Sequence, residues 1–230
     1  MCNTNNKKSI YLSHILWYLP VIMIGLLISA PTVAQKDAKA KELLDKSSIV
    51  LNQAGGLSVS FSININDEIN NIKESFEGQM FIKGAKFYYD TPEQAVYFDG
   101  KTQWVYNRTI EEVSIIEPQP DDVQALNPVL VFELYKTDCD YKYKGGKTDL
   151  QKRKVQEISL FPKNKKEEIK QVDLQINSSD YMPVFFHVIN KNKLEFRIYI
   201  NKYQTGLNLP DSQFVFDTKK YPQAYINDLR

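Results

Sequence analysis

The 230-residue sequence has little cysteine and little histidine, with two residues of each type. Cys2 and His14 lie in the N-terminal 34 residues, so a chain without that segment keeps only Cys139 and His187. A single cysteine cannot form an intramolecular disulfide, and a single imidazole offers no histidine pair for a metal site. The remaining chain must therefore be stabilised by burial of its own apolar side chains.

The sequence also lacks an excess of charge of either sign. It has 29 basic and 28 acidic side chains, with a formal net charge of +1. Binding to phosphate backbones depends on clustered lysine and arginine, and no basic stripe is present. This balance argues against nucleic acid as a partner.

The N-terminal segment has the layout of a secretory signal. Lys7 and Lys8 precede an uncharged apolar run from Ile10 to Ala30, and Thr32-Val33-Ala34 supplies small residues at a cleavage site. The pattern predicts a signal peptide over residues 1–34, cleaved after Ala34, and export to the periplasm. The alternative is an uncleaved anchor, since about 20 apolar residues can span a bilayer.

Residues 35–230 are long enough for one domain with its own core. Lys36 to Ala54 is rich in helix formers with apolar residues near a 3.6-residue period, which predicts an amphipathic helix ending at Gly55-Gly56. Leu57 to Ile65 then alternates apolar residues with serine and asparagine. Strict alternation predicts a strand with one buried face.

Most of the remaining chain predicts short strands. The alternating segments are Ile72–Lys83, Lys86–Asp90, Gln94–Asp99, Thr102–Asn107, Glu111–Ile116, Cys139–Lys144, Arg153–Phe161, Ile169–Asn177, Pro183–Asn190, Lys193–Tyr203 and Phe214–Phe216. Asp99-Gly100 predicts a tight hairpin, and Gly145-Gly146 predicts a turn. Pro118 and Pro120 begin a loop, and Val123 to Lys136 suits one helix or two.

Many short antiparallel strands with few helices predict a mainly β protein of the α+β class, built on one large curved sheet or a barrel. If the sheet curls only partly, its concave face stays apolar, and the two amphipathic helices are its natural cover. The sequence thus predicts a hydrophobic cavity between the sheet and the helices.

Three consecutive motifs resemble the core of the LolA family of periplasmic lipoprotein carriers. They are Gly78–Lys83, Lys86–Tyr89 and Asp99–Asn107, the last with Asp-Gly-Lys, a variable pair, Trp and an aromatic residue. Glu111–Val113 and Leu126–Pro128 also resemble the family's next strand and its helical lid. The resemblance covers roughly residues 36–217.

This resemblance implies an unclosed antiparallel β-barrel, or half-barrel, with an α-helical lid over a hydrophobic cavity. It implies a carrier that receives lipidated outer-membrane lipoproteins from an inner-membrane lipoprotein-release ABC transporter and delivers them to an outer-membrane acceptor. A monomer without cofactor or catalytic activity is expected. One departure concerns lid gating, because Gly84-Ala85 stands where proteobacterial members usually have Arg-Pro.

Side chains two apart on a strand share a face, which selects candidate residues for contact with acyl chains. Leu130 and Phe132 are added from the predicted lid. The full set is Phe61, Ile63, Phe87, Tyr89, Trp104, Tyr106, Leu130, Phe132, Phe196, Ile198 and Ile200. The alternative interpretation of each is an ordinary core residue, since apolar side chains are buried by default.

Two other functions remain open at this stage. A protein of the same fold could bind free lipids, or sense envelope stress by binding mislocalised lipoproteins. An envelope hydrolase would need a partnered catalytic group, but His187 has no evident nucleophile beside it in the sequence and is predicted to be a strand-face residue. Cys139 is predicted to be an inert thiol because no basic neighbours would activate it.

Overall fold

The computed structural model describes residues 32–118, 135–136, 139–164 and 168–230. Residues from Asp37 to Arg230 form one compact unit. The predicted signal segment lies outside the described residues except for its last three. Of the predicted central helix, only Tyr135 and Lys136 are described, and both are helical.

A long helix, α1, spans Thr32–Gln53 and confirms the predicted N-terminal helix, although it begins before Lys36. The chain leaves the helix through Gly55, whose φ of 68° lies in the left-handed region that favours glycine. Leu43, Leu44 and Leu51 are buried on one side of the helix. Among the described helices, none combines the length and hydropathy needed to cross a membrane.

Twelve strands follow in chain order. Their bounds are β1 Gly56–Asp67, β2 Ile72–Lys83, β3 Lys86–Asp90, β4 Gln94–Phe98, β5 Gln103–Asn107, β6 Glu112–Ile116, β7 Cys139–Thr148, β8 Lys154–Pro162, β9 Ile169–Asn177, β10 Pro183–Asn190, β11 Leu194–Leu207 and β12 Tyr225–Asp228. The predicted hairpin between β4 and β5 is confirmed, with Gly100 at a φ of 103°.

All twelve strands belong to one sheet in the order β12-β6-β5-β4-β3-β2-β1-β11-β10-β9-β8-β7. Every neighbouring pair is antiparallel except β12 with β6, which is parallel. Because β12 and β7 stand at opposite edges and do not pair with each other, the sheet stays open. The predicted mainly β, unclosed antiparallel architecture is therefore confirmed.

Two predictions about the strands were wrong in detail, and one strand was missed. Gly145-Gly146 is not a turn, because β7 continues through it with an irregularity after Tyr143 and the chain turns instead at Asp149, whose carboxylate accepts backbone hydrogen bonds. Asp211–Phe214 is a short 3-10 helix where a strand over Phe214–Phe216 was predicted. The C-terminal strand β12 was not predicted.

The sheet carries an apolar core on each face. On the face that we call the inner face, α1 packs against a large cluster that includes Leu57, Phe87 and Leu174. On the opposite, outer face, a smaller cluster joins Tyr97 and Tyr106 of the sheet to Phe216 of the C-terminal segment. The core under α1 positions the helix, and the outer cluster holds the C-terminal segment.

Candidate functional site

An apolar row crosses the inner face between β1, β10 and β11. Ile63 lies opposite Ile198, and Phe61 lies opposite Ile200, in the register of β1 with β11. Phe196 lies opposite Val188 of β10. Directly opposed residues of an antiparallel pair share a face, so these side chains form one continuous surface. We call Phe61, Ile63, Val188, Phe196 and Ile198 the apolar trough.

The trough is less buried than the part of the inner face formed by the start of β1. Leu57 and Val59, at the start of β1, are each only 2% exposed. Phe61, Ile63 and Ile65 continue the same alternation but are half-buried. The first half of β1 is therefore sealed in the core, whereas its second half presents apolar side chains that retain solvent contact.

Phe87 and Tyr89 lie on the inner face but in different settings. Phe87 is fully buried and its ring stacks at 6.5 Å from that of Tyr89, which is half-buried. Burial raises the pKa of Tyr89 to about 12, and its hydroxyl accepts a 3.1 Å hydrogen bond from Gln94. Phe87 is thus a core residue, whereas Tyr89 remains partly accessible.

Trp104 and Tyr106 lie on the opposite face from the other candidates. Tyr106 contacts the ring of Tyr221 at 4.6 Å, and Trp104 packs against the same outer cluster. Their strand partners, Tyr97 and Ala95, also belong to that cluster. The structure therefore does not bring these two aromatic residues together with the trough.

Leu130 and Phe132, the candidates from the predicted lid, lie outside the described residues. Ile200 is on the inner face, 3% exposed, at the end of the trough. Of the remaining candidates, the structure groups Phe61, Ile63, Phe196 and Ile198 on one surface. Their contact with acyl chains stays a prediction.

His187 lies on the outer face in a polar network that has no nucleophile next to the imidazole. Its Nε2 is 3.0 Å from a carboxylate oxygen of Glu195, and its Nδ1 is 3.8 Å from Asp173. The hydroxyl of Ser159 donates to Asp173 rather than to the imidazole. Arg197 adds a further ion pair to Glu195 at 2.7 Å. This arrangement fits a strand-face histidine held by carboxylates.

The described part of the chain contains neither a group of side chains arranged to bind a metal ion nor an exposed cysteine. No group of three His, Cys, Asp or Glu side chains among residues 32–118, 135–136, 139–164 and 168–230 is placed to hold a metal ion. Cys139 is buried at the start of the edge strand β7. Buried structural cysteines are generally inert, in contrast to the partly exposed cysteines of catalytic and redox sites.

The turn between β2 and β3, which contains Gly84-Ala85, forms ion pairs with the C-terminal segment. Lys83 and Lys86 flank Gly84-Ala85, and their amines lie 3.0 and 2.9 Å from the carboxylate of Asp211. The amine of Lys83 also donates to the Leu209 carbonyl at 2.9 Å. Hydrogen bonds from Lys86, which has the larger effect, and from Lys83 lower the pKa of Asp211 to about 2. Sequence reasoning missed this contact because Lys83 and Asp211 are 128 positions apart in the chain.

A cleft of about 480 Å³ lies where β11 extends past the start of β10. Its floor is apolar, with Val50 of α1 and Met182, Ile200 and Tyr203 of the sheet region. Its polar lining consists of Arg153, Asn177, Asp180, Asn201, Lys202 and Thr205. Burial, followed by the nearby charge of Asp180, raises the pKa of Tyr203, whose hydroxyl donates to the Pro183 carbonyl at 2.8 Å.

A model of the family described as outer membrane lipoprotein carrier protein LolA matches residues 30–191. No curated protein matches the sequence. An uncharacterized conserved protein from Thermus thermophilus is similar in structure, with a TM-score of 0.55, 12% identity, and coverage of 83% of this chain and 99% of that one. At this identity the likeness concerns the fold alone.

Two further solved structures are similar over most of their length. The LolA superfamily protein NE2245 from Nitrosomonas europaea has a TM-score of 0.44 and 14% identity, and the match covers 77% of this chain and 98% of that one. LprF from Mycobacterium bovis has a TM-score of 0.46 and 10% identity, with 75% and 96% covered.

Proposed function

The chain belongs to the family of the outer membrane lipoprotein carrier protein LolA, and from this premise we propose that it binds the acyl chains of lipoproteins in the apolar trough and carries them between membranes. The observation that carries the proposal is the trough itself. Phe61, Ile63, Phe196 and Ile198 form one apolar row that α1 leaves half-buried, in a sheet that does not close.

The energetics of this surface suit a carrier. Removing hydrocarbon from water contributes about 0.8 kcal/mol per methylene, so a lipid with several acyl chains binds an apolar surface strongly without specific contacts. Release is the harder step, and it is easier from a surface that lacks charged anchors. The trough residues are all apolar, which is consistent with reversible binding.

The proposal extends to compartment and partners. The signal-like segment over residues 1–34 supports export to the periplasm with cleavage after Ala34. The partners are then an inner-membrane lipoprotein-release ABC transporter, which loads the carrier, and an outer-membrane acceptor, which unloads it. No cofactor and no catalytic step are needed for this cycle.

Binding of matched peptides tests the proposal. The purified protein from residue 35 onward should bind a diacylated lipopeptide and should not measurably bind the same peptide without its acyl chains. Isothermal calorimetry or fluorescence anisotropy would measure both affinities. Equal binding of the two peptides would contradict the proposal.

Two neighbouring substitutions test the location of the site. Ile63→Glu places a charge in the trough, whereas Ser62→Glu places the same charge on the outer face of the same strand. We expect Ile63→Glu to weaken lipopeptide binding by about tenfold or more, because a carboxylate disfavours apolar contact. Ser62→Glu should leave the affinity within about twofold of wild type. Equal loss in both variants would place the site elsewhere.

The nature of the cargo separates this proposal from lipid binding or stress sensing by the same fold. Native mass spectrometry of protein isolated from the periplasm should show a bound lipoprotein. Diacyl phospholipid in its place would indicate that free lipid, rather than lipoprotein, is the cargo.

His187 has no part in the proposed function. His187→Ala should keep lipopeptide binding unchanged, because the imidazole lies on the outer face between Glu195 and Asp173. A loss of activity in a folded His187→Ala protein would instead favour an enzyme.

A further inference from the structure

The cleft beside β11 exists because two neighbouring strands differ in length. β11 has 14 residues and β10 has eight. Pairing between them runs from Ile189 with Glu195 to Phe185 with Tyr199. Beyond Tyr199, β11 continues to Leu207 and stays paired with β1 on its other side. This part of β11 lies past the start of β10 and borders the cleft through Ile200, Asn201, Lys202, Tyr203 and Thr205.

The sequence gives a reason why β10 does not begin before Pro183. Pro183 opens the strand and has no backbone N–H to donate to β11. Its carbonyl accepts the hydroxyl of Tyr203 instead, at 2.8 Å. The preceding residues fold back into the β9–β10 turn, in which Asn177 donates its N–H to the Met182 carbonyl at 2.9 Å. This turn forms the wall of the cleft opposite β11.

A strand edge that borders a cleft is a template for another strand. Its backbone N–H and C=O groups point sideways and are obligatory hydrogen-bonding groups. An extended peptide satisfies them by adding one strand to the sheet, and side-chain pockets then give selectivity. The apolar floor formed by Val50, Met182 and Ile200 can take one peptide side chain.

The cleft is continuous with the trough. Phe196 and Ile198 of the trough and Ile200 of the cleft alternate along one face of β11. A lipidated peptide can thus place its acyl chains on Phe196 and Ile198 while its polypeptide follows the edge beyond Ile200. The distance from Ile198 to Thr205 along the strand is about 23 Å, at about 3.3 Å per residue, which allows a segment of several residues.

Resting on the proposed function, we propose that the edge of β11 from Ile200 to Thr205 binds the peptide segment that adjoins the lipidated residue of the cargo, as an added strand. The occupant is an extended peptide, because hydrocarbon alone cannot hydrogen-bond to the edge. The charges of the rim also suit a polypeptide. Arg153 and Lys202 supply positive charge and Asp180 supplies negative charge, so the lining offers both signs to the side chains of a peptide.

Amide hydrogen exchange measured by NMR tests the proposal directly. The probes are a diacylated lipopeptide, the free diacylated amino acid that lacks the peptide, and the lipopeptide with N-methylated backbone amides. We expect the lipopeptide to slow exchange by about tenfold or more at one or more amides of residues 200–205. The free acylated amino acid and the N-methylated lipopeptide should leave these amides unchanged.

Two substitutions at neighbouring exposed positions of β11 provide a matched comparison. Thr205 lines the cleft and Gln204 does not. Thr205→Trp should fill the cleft and weaken lipopeptide binding by about tenfold, while the affinity for the free acylated amino acid stays within about twofold. Gln204→Trp should change neither affinity by more than about twofold.

The outcomes separate this inference from the proposed function. If both ligands bind but residues 200–205 gain no protection and Thr205→Trp has no effect, strand addition is wrong and the acyl carrier remains. Protection by the free acylated amino acid as well would assign the cleft to hydrocarbon and also overturn strand addition. If neither ligand binds the wild-type protein, the proposed function itself fails.

Discussion

The two halves of strand β1 follow one sequence pattern and meet different environments. Leu57 and Val59 are almost fully buried, whereas Phe61 and Ile63, on the same face, are half-buried. The first half lies in the core that α1 completes with Leu44 and Leu51. One strand thus contributes to the core at one end and leaves apolar surface partly accessible at the other.

The core that contains the covered half of β1 should carry a larger share of stability than the trough. Phe87→Ala removes a fully buried ring from the core under α1. We expect the free energy of unfolding to fall by about 3–5 kcal/mol, because both transfer energy and a cavity are involved. Urea denaturation followed by circular dichroism would measure the loss. A loss below about 1 kcal/mol would contradict the distinction between the buried core under α1 and the half-buried trough.

The trough, which β11 forms together with the open half of β1, should behave in the opposite way. Phe196→Ala removes a ring of similar size from the trough, where it is already half-exposed. We expect a loss of only about 1 kcal/mol in unfolding free energy, since less area is buried. Lipopeptide affinity, measured by calorimetry, should fall by about tenfold. A stability loss equal to that of Phe87→Ala would show that the trough is core.

The helix cover itself can be strengthened. Ser47 is fully buried on the inner side of α1, and its hydroxyl has no hydrogen-bond partner among the described residues. Ser47→Ala removes the unsatisfied group and raises helix propensity, so we expect stability to rise by about 1 kcal/mol. Thermal unfolding would show this as a higher Tm.

Ser48 is a suitable control for that substitution, since it is also buried but its hydroxyl accepts a hydrogen bond from Asn52 at 3.3 Å. Ser48→Ala should not stabilise the protein. Stabilisation by both substitutions alike would attribute the gain to helix propensity alone.

The smallest effect is expected at the turn between β2 and β3. Asp211→Asn removes ion pairs with Lys83 and Lys86, but all three side chains are at least partly exposed and screened. Because the pKa of Asp211 is lowered to about 2 on folding, its contribution is present above the unfolded value near 4 and is lost as pH falls toward 2. Urea midpoints of wild type and variant should therefore converge over that range.

A difference between wild type and Asp211→Asn that stays constant from pH 7 to pH 2 would exclude the carboxylate as its source. Lys83→Gln and Lys86→Gln, made separately, would show which amine contributes. The hydrogen bond from Lys86 is the largest cause of the lowered pKa of Asp211, so Lys86→Gln should reproduce more of the pH dependence.

Local pattern predicted most of the sheet. Strands β2, β3, β9 and β10 match their predicted bounds, because period-two alternation and flanking turn residues are local signals. β12 was missed because Tyr225–Asp228 is short and mostly exposed, and it is a strand only through its parallel pairing with β6. The Gly145-Gly146 pair resembled a turn, yet β8 holds it in the ladder.

The candidate site was predicted less completely, for a physical reason. Alternation states which residues share a face but not which face a helix will cover. Trp104 and Tyr106 were grouped correctly with each other, yet they face Tyr221 and Phe216 on the outer side. The same pattern on β1 and β11 faces α1 instead.

By itself, the sequence determined the class of the fold, the helix that precedes the sheet, the neutral charge and the resemblance in the motifs around Trp104. These properties depend on neighbours within a few residues of one another. Only the tertiary structure decided that α1 covers half of β1, that the C-terminal segment packs on the outer face, and that β11 extends past the start of β10. Those features depend on which distant segments compete to bury the same surface, and local periodicity carries no information about that competition.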